Sequence, residues 1–246
     1  MHAVIVIPAR LASTRLPKKL LLSETGKTLI QHTYEAAAQS HLASDVIIAA
    51  DDEELVRAIE AFGGNVQLTA ADHTCGTDRV AEIAAKLDCE IIINVQGDEP
   101  EIDATAIDAL ISVFENPDAK CATLAAPIRR QDVLESPSNV KVVFDRHQRA
   151  MYFSRSVIPF PRLGVEQALQ IEPPVFWQHV GLYGYRREFL LEIAQCPAVP
   201  IETTESLEQL RILDAGESIF IRTISAAKPG IDTLDDYNAF VSRQGS

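Results

Sequence analysis

Two short stretches of this chain bring together side chains that can handle a polyphosphate and its counter-ion. The first is Ala9-Arg10-Leu11-Ala12-Ser13-Thr14-Arg15-Leu16-Pro17-Lys18-Lys19, where two Arg, two Lys and two hydroxyls crowd one loop. Cations and hydroxyls in that density suit phosphate oxygens. The second is Gln96-Gly97-Asp98-Glu99-Pro100. Hard divalent cations such as Mg²⁺ take carboxylate oxygens together with substrate phosphates rather than all-protein cages, which makes Asp98 a natural ligand. The plain alternative is an acidic turn in which Gly97 supplies a backbone angle open to glycine. A further carboxylate, Asp232, stands in Pro229-Gly230-Ile231-Asp232-Thr233, which taken alone reads as a helix N-cap. The loop Thr69 to Arg79 is polar, short-chained and opens a helix. It could bind an anion or a nucleobase edge, although capping alone accounts for Thr77 and Asp78.

The elements that position these residues are legible as alternation. Ala3-Val4-Ile5-Val6-Ile7 is an unalternating apolar run of the kind that forms a buried parallel strand, and it breaks at Pro8 into the basic loop. In open α/β sheets the loop leaving the carboxyl end of a strand is where ligands sit. Val46 to Ala50 reads as a second strand, followed by Leu55, Val56, Ile59 and Phe62 at helical spacing up to Gly63-Gly64. A short strand at Val66 to Thr69 precedes a helix carrying Val80, Ile83, Ala84 and Leu87. Glu90 to Gln96 is the strongest strand and runs straight into the acidic turn, so its carboxylates share an edge with the basic loop if the two strands are parallel.

From about Cys121 the texture becomes strand-rich, with Thr123 to Ile128, Val140 to Phe144, Met151 to Ser154 and His179 to Tyr185, and few helices between them. Pro159, Pro161, Pro173 and Pro174 punctuate a long irregular connection. A helix over Glu205 to Ala215, a strand near Ile219 to Ile224, and a last helix opened by a Thr233/Asp236 capping box complete the reading. The expected fold is α/β: a mixed, mostly parallel sheet flanked by helices, with a smaller strand-rich insertion. The connection at about 150–185 could carry an edge, an insertion or a subunit contact.

Composition excludes several classes. The net charge of −13 disfavours nucleic acid and anionic lipid as partners, since both need a basic footprint. No apolar stretch reaches the ~18–20 residues of a membrane span, and no secretory leader pattern is present, which points to the cytoplasm. Cys75, Cys89, Cys121 and Cys196 are too dispersed for a zinc site or a disulfide framework. There is no G-x-G-x-x-G. Gly26-Lys27-Thr28 copies only the tail of a P-loop, because Leu21 stands where the earlier glycine must be; the segment reads as a turn into a helix near Thr28.

Taken in order, Ile7 to Arg10, Ser13 to Pro17 with Lys19, Asp51-Asp52, Gly76 to Arg79, Asn94 to Pro100, Tyr152 to Arg155, His179 to Arg186, Glu205 to Arg211 and Gly230 to Thr233 resemble the 3-deoxy-manno-octulosonate cytidylyltransferases, the CMP-Kdo synthetases. The resemblance implies a nucleotidyltransferase-type, Rossmann-like α/β fold with residues 1–246 as a single domain and a dimerisation and sugar-side subregion at about 150–185. It implies transfer of CMP from CTP to the anomeric hydroxyl of Kdo, releasing pyrophosphate, for lipopolysaccharide biosynthesis, with Mg²⁺ and a homodimer. It implies that Arg10, Arg15 and Lys19 hold the phosphates, with Asp98 as a catalytic group and Asp98 and Asp232 as metal ligands. Nucleotide contacts would come from Pro8, Ala9, Arg10, Ser13, Thr14, Arg15, Lys19, Asp72, Gly76, Thr77 and Arg79. Sugar contacts would come from Gln96, His179, Tyr183, Tyr185 and Glu208.

Three departures stand out. Lys18 replaces the family's Gly before Lys19, adding a cation and removing a hinge; Cys75 replaces Ser; and Ala50 replaces Thr. Rival readings keep the chemistry on an 8-amino-Kdo or a sialic-acid type sugar, or make the chain a non-catalytic nucleotide-binding homologue. Sialic acid enzymes carry a Gly-Ser-Lys loop after the first Arg, unlike Ala12-Ser13-Thr14-Arg15 here.

Overall fold

The computed structural model describes residues 1–13, 15–73 and 75–245, so the expectation placed on Thr14 lies outside the described residues. The chain forms two compact units, residues 1–111 with 228–246, and residues 112–227 between them.

The first unit opens with β1 (Ala3–Ala9) and continues through a 3-10 turn at Lys19–Leu21, α1 (Leu29–Ala37), β2 (Ala43–Ala50), α2 (Glu53–Ala61), β3 (Val66–Leu68), α3 (Gly76–Ala84), β4 (Ile91–Asn94) and α4 (Ala104–Ser112). Its strands lie in the order β3-β2-β1-β4, and all pair in parallel. Every residue of β1 and β4 is buried, which is why the two segments read as continuous apolar runs rather than alternating ones. The register pairs Ala9 with Ala50, Ala50 with Leu68 and Val6 with Asn94. The loops after β1, β2, β3 and β4 therefore leave the same sheet edge, as the parallel arrangement required. Thr28 caps α1 by accepting from Gln31 N–H at 3.3 Å, so the Gly26-Lys27-Thr28 segment is a turn and helix start. Gly63, at φ +78°, closes α2 in the left-handed region open to glycine.

The second unit holds β5 (Cys121–Pro127), α5 (Gln131–Glu135), β6 (Lys141–Phe144), β7 (Ala150–Ser154), α6 (Val165–Leu169), β8 (Trp177–Arg186), α7 (Arg187–Ile193), α8 (Pro200–Glu205), α9 (Leu210–Asp214) and β9 (Ile219–Thr223). Here β5 runs antiparallel to β8 and parallel to β9, and β6 and β7 form an antiparallel pair. The chain then returns to the first unit with α10 (Leu234–Gln244), whose Thr233/Asp236 capping box is present as expected. The expected architecture is observed: a mostly parallel sheet flanked by helices, interrupted by a strand-rich insertion.

Three sequence expectations are corrected. α4, α7 and α8 had no counterpart in the sequence reading, and the few helices expected among the strands of the strand-rich segment are the short α5 and α6. The Pro-rich connection is not wholly irregular: α6 lies within it, and its Ala168 and Leu169 pack with Ile128, Leu134 and Phe176 in a small apolar cluster. The helix expected over Glu205 to Ala215 is shorter: Ser206 adopts φ 53° and ends α8 at the start of that range, and only α9, Leu210–Asp214, is α-helical within it. That reversal lets Arg211 return to Glu202, donating from Nε to Oε2 at 2.9 Å and from Nη2 to Oε1 at 2.5 Å. A buried bidentate pair outweighs the local apolar period of Leu207, Leu210 and Leu213. Among the described residues no helix is long and apolar enough to cross a membrane.

Candidate active site

At the carboxyl edge of the parallel sheet, the loop after β1 and the loop after β4 meet the turn that leads into α10. Lys19 is the centre of that meeting. Its side chain is 10% exposed and its ammonium donates to Asp98 Oδ2 at 2.7 Å, to the Ile231 carbonyl at 2.6 Å and to Asp232 Oδ1 at 3.4 Å. Three acceptors match the three protons of an ammonium. Arg15, exposed, adds a contact from Nη2 to Asp232 Oδ1 at 2.9 Å. The cluster thus sets two carboxylates against two cations.

Local structure explains each placement. Lys18 takes φ 51°, the left-handed conformation that a glycine would adopt freely, and its ammonium pairs with Glu54 at 2.7 Å. Lys18 thus adopts a backbone form open to glycine and is anchored by its own charge. Thr233, not Asp232, is the N-cap of α10, and Asp236 accepts from both Asp232 N–H and Thr233 N–H. The Asp232 carboxylate is thereby left to face Lys19 and Arg15. Asp98 is held through its backbone, its carbonyl accepting from Ile231 N–H at 2.9 Å. Beside it, burial and the Asp98 charge push the Glu99 carboxyl up to about 8.

Gly97 does not occupy the left-handed region; the glycines that do are Gly26, Gly63, Gly164 and Gly216. Its role is close approach, since a Cβ there would lie 3.1 Å from the Pro8 carbonyl oxygen. The alternative in which Gly97 supplies a special backbone angle is therefore not what the structure shows.

The remaining nucleotide-side positions line the same edge. Pro8 and Ala9 are buried at the end of β1, and Gly76, the first residue of α3, faces Pro8 and the Gln96 amide. Ser13 is half-buried. Arg10 is half-buried too, and its Nη2 is buried without a hydrogen-bond partner. Asp72 is exposed on the loop before α3, while Thr77 is half-buried in the first turn of that helix. Arg79 is fully buried. It donates from Nη1 to Thr69 Oγ1 and, at 3.1 Å, to the Ala70 carbonyl, and its Nη2 lies 3.6 Å from Asp51 Oδ2. Burial lowers the Arg79 guanidinium from its ordinary range, against the pull of Asp51. Asp51 also accepts from Leu11 N–H at 2.9 Å, so one charged pair ties the loops after β1, β2 and β3 together.

The loop before α3 is braced by Glu82, a residue absent from the sequence reading. Its Oε2 accepts from Ala70 N–H at 2.9 Å and lies 2.7 Å from His73 Nε2. Burial would raise its carboxyl, but the hydrogen bonds from Lys86, Ala70 and His73 prevail and hold it at about 2. Only its place one helical turn after Asp78 hinted at this role.

Of the five positions expected on the sugar side, Gln96 belongs to the first unit, where its amide donates to Asn94 Oδ1 at 3.1 Å. The other four belong to the second. His179, Tyr183 and Tyr185 follow one another along β8, with ring centroids 5.3 Å apart for His179–Tyr183 and 5.9 Å apart for the stacked tyrosines. Burial pushes the His179 imidazole down to about 3 and the Tyr183 phenol well above its ordinary range, the charges of Cys121 and Glu208 adding to the latter. The Tyr183 hydroxyl is buried without a hydrogen-bond partner. Glu208 stands exposed between α8 and α9. Nearby, Glu205 accepts from Ser154 Oγ at 2.6 Å and from Arg155 N–H at 3.0 Å, which joins two of the segments singled out in the sequence.

The donor set suits a magnesium ion. Asp98 and Asp232 are close enough to share one ammonium, so they are close enough to share a cation. Among the described residues no group of three or more His, Cys, Asp or Glu forms a closed metal cage. Two converging carboxylates with the other ligands left open is the arrangement Mg²⁺ takes when substrate phosphates complete its shell.

A parallel sheet whose carboxyl edge carries this basic and acidic cluster is the framework of a nucleotidyltransferase, and the family model described as cytidylyltransferase matches residues 4–219. A 3-deoxy-manno-octulosonate cytidylyltransferase of Rhodopirellula baltica is 50% identical over 246 residues, covering 99% of this chain and 98% of the relative. One from Geobacter sulfurreducens is 43% identical, covering 96% of each. The solved structure of a CMP:2-keto-3-deoxy-manno-octonic acid synthetase complexed with CTP superposes with a TM-score of 0.92 at 41% identity, covering 100% of this chain and 99% of that one. The chain belongs to the 3-deoxy-manno-octulosonate cytidylyltransferase family.

Proposed function

We propose that this protein transfers the cytidylyl group of CTP to the anomeric hydroxyl of Kdo, giving CMP-Kdo and pyrophosphate, in the service of lipopolysaccharide biosynthesis. The observation that carries the reading is the Lys19, Asp98 and Asp232 cluster at the carboxyl edge of the sheet, in a chain 50% identical over its length to a protein of that name.

The chemistry is in-line displacement. The sugar hydroxyl attacks the α-phosphorus, a new P–O bond forms, the bond to the β-phosphate oxygen breaks, and pyrophosphate carries away the electron pair. Such transfer rests on positioning and on charge stabilisation around the phosphate oxygens. Arg10, Arg15 and Lys19 bind the triphosphate and the departing pyrophosphate. The loop with Asp72, Gly76 and Thr77, together with Pro8, Ala9 and Ser13, holds the nucleoside, and Arg79 braces that loop from below. Gln96, His179, Tyr183, Tyr185 and Glu208 hold the sugar. Asp98 and Asp232 would hold Mg²⁺, which would supply charge neutralisation for the transferred phosphoryl group.

The same reading makes the protein a cytoplasmic homodimer. Four thiols with no disulfide among them suit a reducing compartment. Phe160 and Leu163, 84% and 76% exposed on the Pro-rich connection, offer an apolar face to a second copy.

The test is pyrophosphate release with Mg²⁺ and each nucleoside triphosphate in turn, run with Kdo, 8-amino-Kdo and sialic acid. Release with CTP and Kdo alone is the expected result. Preference for another sugar would keep the mechanism and change the substrate, and silence with every pair would leave a non-catalytic nucleotide-binding protein.

A further inference from the structure

The pairing of β5 with β8 is irregular at one point. Thr123 lies opposite Tyr183, yet the next residue, Leu124, lies opposite Val180, so Gly181 and Leu182 are extra residues on β8. Such a bulge leaves main-chain groups without their ladder partners and re-aims the side chains beside it. Here a fully buried threonine fills the gap. Thr123 Oγ1 lies 2.8 Å from the Leu182 carbonyl oxygen, 3.1 Å from the Val180 carbonyl oxygen and 3.0 Å from His179 Nε2.

A hydroxyl has one proton. If Thr123 gave it to His179, two carbonyl oxygens would face the hydroxyl oxygen at 2.8 and 3.1 Å with no proton between, lone pair against lone pair in a buried site. The proton therefore goes to the Leu182 side, and the imidazole must donate from Nε2 to Oγ1. A neutral imidazole that carries its proton on Nε2 has a bare lone pair on Nδ1. Neutrality follows from burial, which holds this ring at about 3; among the described residues its ring and hydrogen-bond partners are Phe153, Tyr183 and Thr123, none of them a carboxylate.

We propose that Thr123 is a positioning residue that locks His179 in its Nε2–H tautomer and so makes Nδ1 an acceptor reserved for a hydroxyl of the sugar substrate. The inference rests on the reading of His179 as a sugar-side residue. Its consequence is selectivity by hydrogen-bond polarity. A substrate hydroxyl is held because it can donate, and an analogue with a keto oxygen at that place meets lone pair with lone pair.

The test uses the full-length protein with ¹⁵N-labelled histidine, the His179 ring nitrogens being assigned by their loss in His179→Gln. The wild type should show a protonated Nε2 and a lone-pair Nδ1. Thr123→Ser, which keeps the hydroxyl, should keep that pattern. Thr123→Val, nearly isosteric, should lose it, and its KM for Kdo should rise about tenfold, by more than kcat falls. A wild type with its proton on Nδ1 overturns the inference without reference to any variant. So does a folded Thr123→Val with an unchanged tautomer and unchanged KM. A correct tautomer in a protein that turns over no Kdo would leave the lock standing and remove the sugar reading instead.

Discussion

Lys19 Nζ and Asp98 Oδ2 lie 2.7 Å apart although 79 residues separate them, and the same ammonium reaches Asp232 Oδ1 at 3.4 Å across 213 residues. The lysine stands between the two carboxylates that would share a divalent ion. Asp98→Asn keeps the shape of the side chain and removes its charge. Turnover with Mg²⁺ should fall on the order of 10³-fold, as for loss of one group that stabilises transferred charge, while the melting temperature stays within a few degrees. Lys19→Met should also lose turnover, and without CTP it should bind Mn²⁺ more tightly than the wild type, because the competing ammonium is gone. Pyrophosphate release and Mn²⁺ titration by electron paramagnetic resonance decide both points; near-normal turnover in Asp98→Asn would remove that residue from the metal site.

Glu82 gives the protein an acid limit that can be calculated in sign. Its folded carboxyl titrates at about 2, below the ordinary value of 4.5. A depressed carboxylate contributes stability that is present above the unfolded value and is lost as pH falls through the folded one. Glu82→Gln should therefore be less stable than the wild type above about pH 5, by about 3 kcal/mol at most, with the gap closing as pH falls toward about 2. Since Glu82 braces the Ala70 to His73 segment, the variant should also raise the KM for CTP. Urea titrations at a series of pH values check the first claim, and a gap that is constant with pH contradicts it.

Cys75 caps α3 with sulfur, its Sγ accepting from Asp78 N–H at 3.4 Å. An oxygen at that position makes a shorter and stronger cap, and serine ranks among the best N-cap residues. Cys75→Ser should stabilise the protein by about 0.5–1 kcal/mol. Because Gly76 and Thr77 lie in the first turn of the same helix, the KM for CTP should fall modestly. Thermal melts with matched kinetics test it; a less stable serine variant would mean that the sulfur is held by packing rather than by its cap.

The parts of this molecule that were legible in the sequence are those where chemistry is local. β1 and β4 are apolar runs that end in charged loops, and once both are buried and parallel their loops must share an edge, which places Lys19 and Asp98 together. The capping box at Thr233 was legible for the same reason, being a matter of neighbours three residues apart. Long-range pairs were not. Nothing in the spacing of Asp51 and Arg79, or of Glu202 and Arg211 before Ser206 turned the chain back, announces a buried ion pair, because both partners are ordinary surface residue types. Thr123 was invisible for a sharper reason: in a strand it reads as a β-former, and its role depends on two extra residues in a partner strand more than fifty residues away.

Gly97 is the position where local reading gave the wrong cause for the right residue. Its backbone is not left-handed, so an alanine is not barred by φ. What bars it is space. An added Cβ would stand 3.1 Å from the Pro8 carbonyl oxygen, 3.3 Å from Ile30 Cδ1 and 3.4 Å from Leu20 Cδ2. The first of these is main chain at the end of β1, which is buried and paired with Ala49 of β2 and has little room to retreat. Thr33 Oγ1 also holds the Gly97 carbonyl at 2.9 Å. The strain must therefore pass forward, into Asp98. Gly97→Ala should fold and bind CTP, yet lose roughly tenfold to a hundredfold in kcat, since displacements well under 1 Å matter between a metal ligand and reacting phosphate. Gly230→Ala is the matched control. Its Cβ would meet the Asp98 carbonyl oxygen at 3.8 Å and Glu99 Cγ at 3.9 Å, ordinary contact distances on the same loop, and it should be tolerated. Equal losses in the two variants would show that the turn is sensitive to any added methyl, and the close approach of β1 to Gly97 would then not be what fixes Asp98.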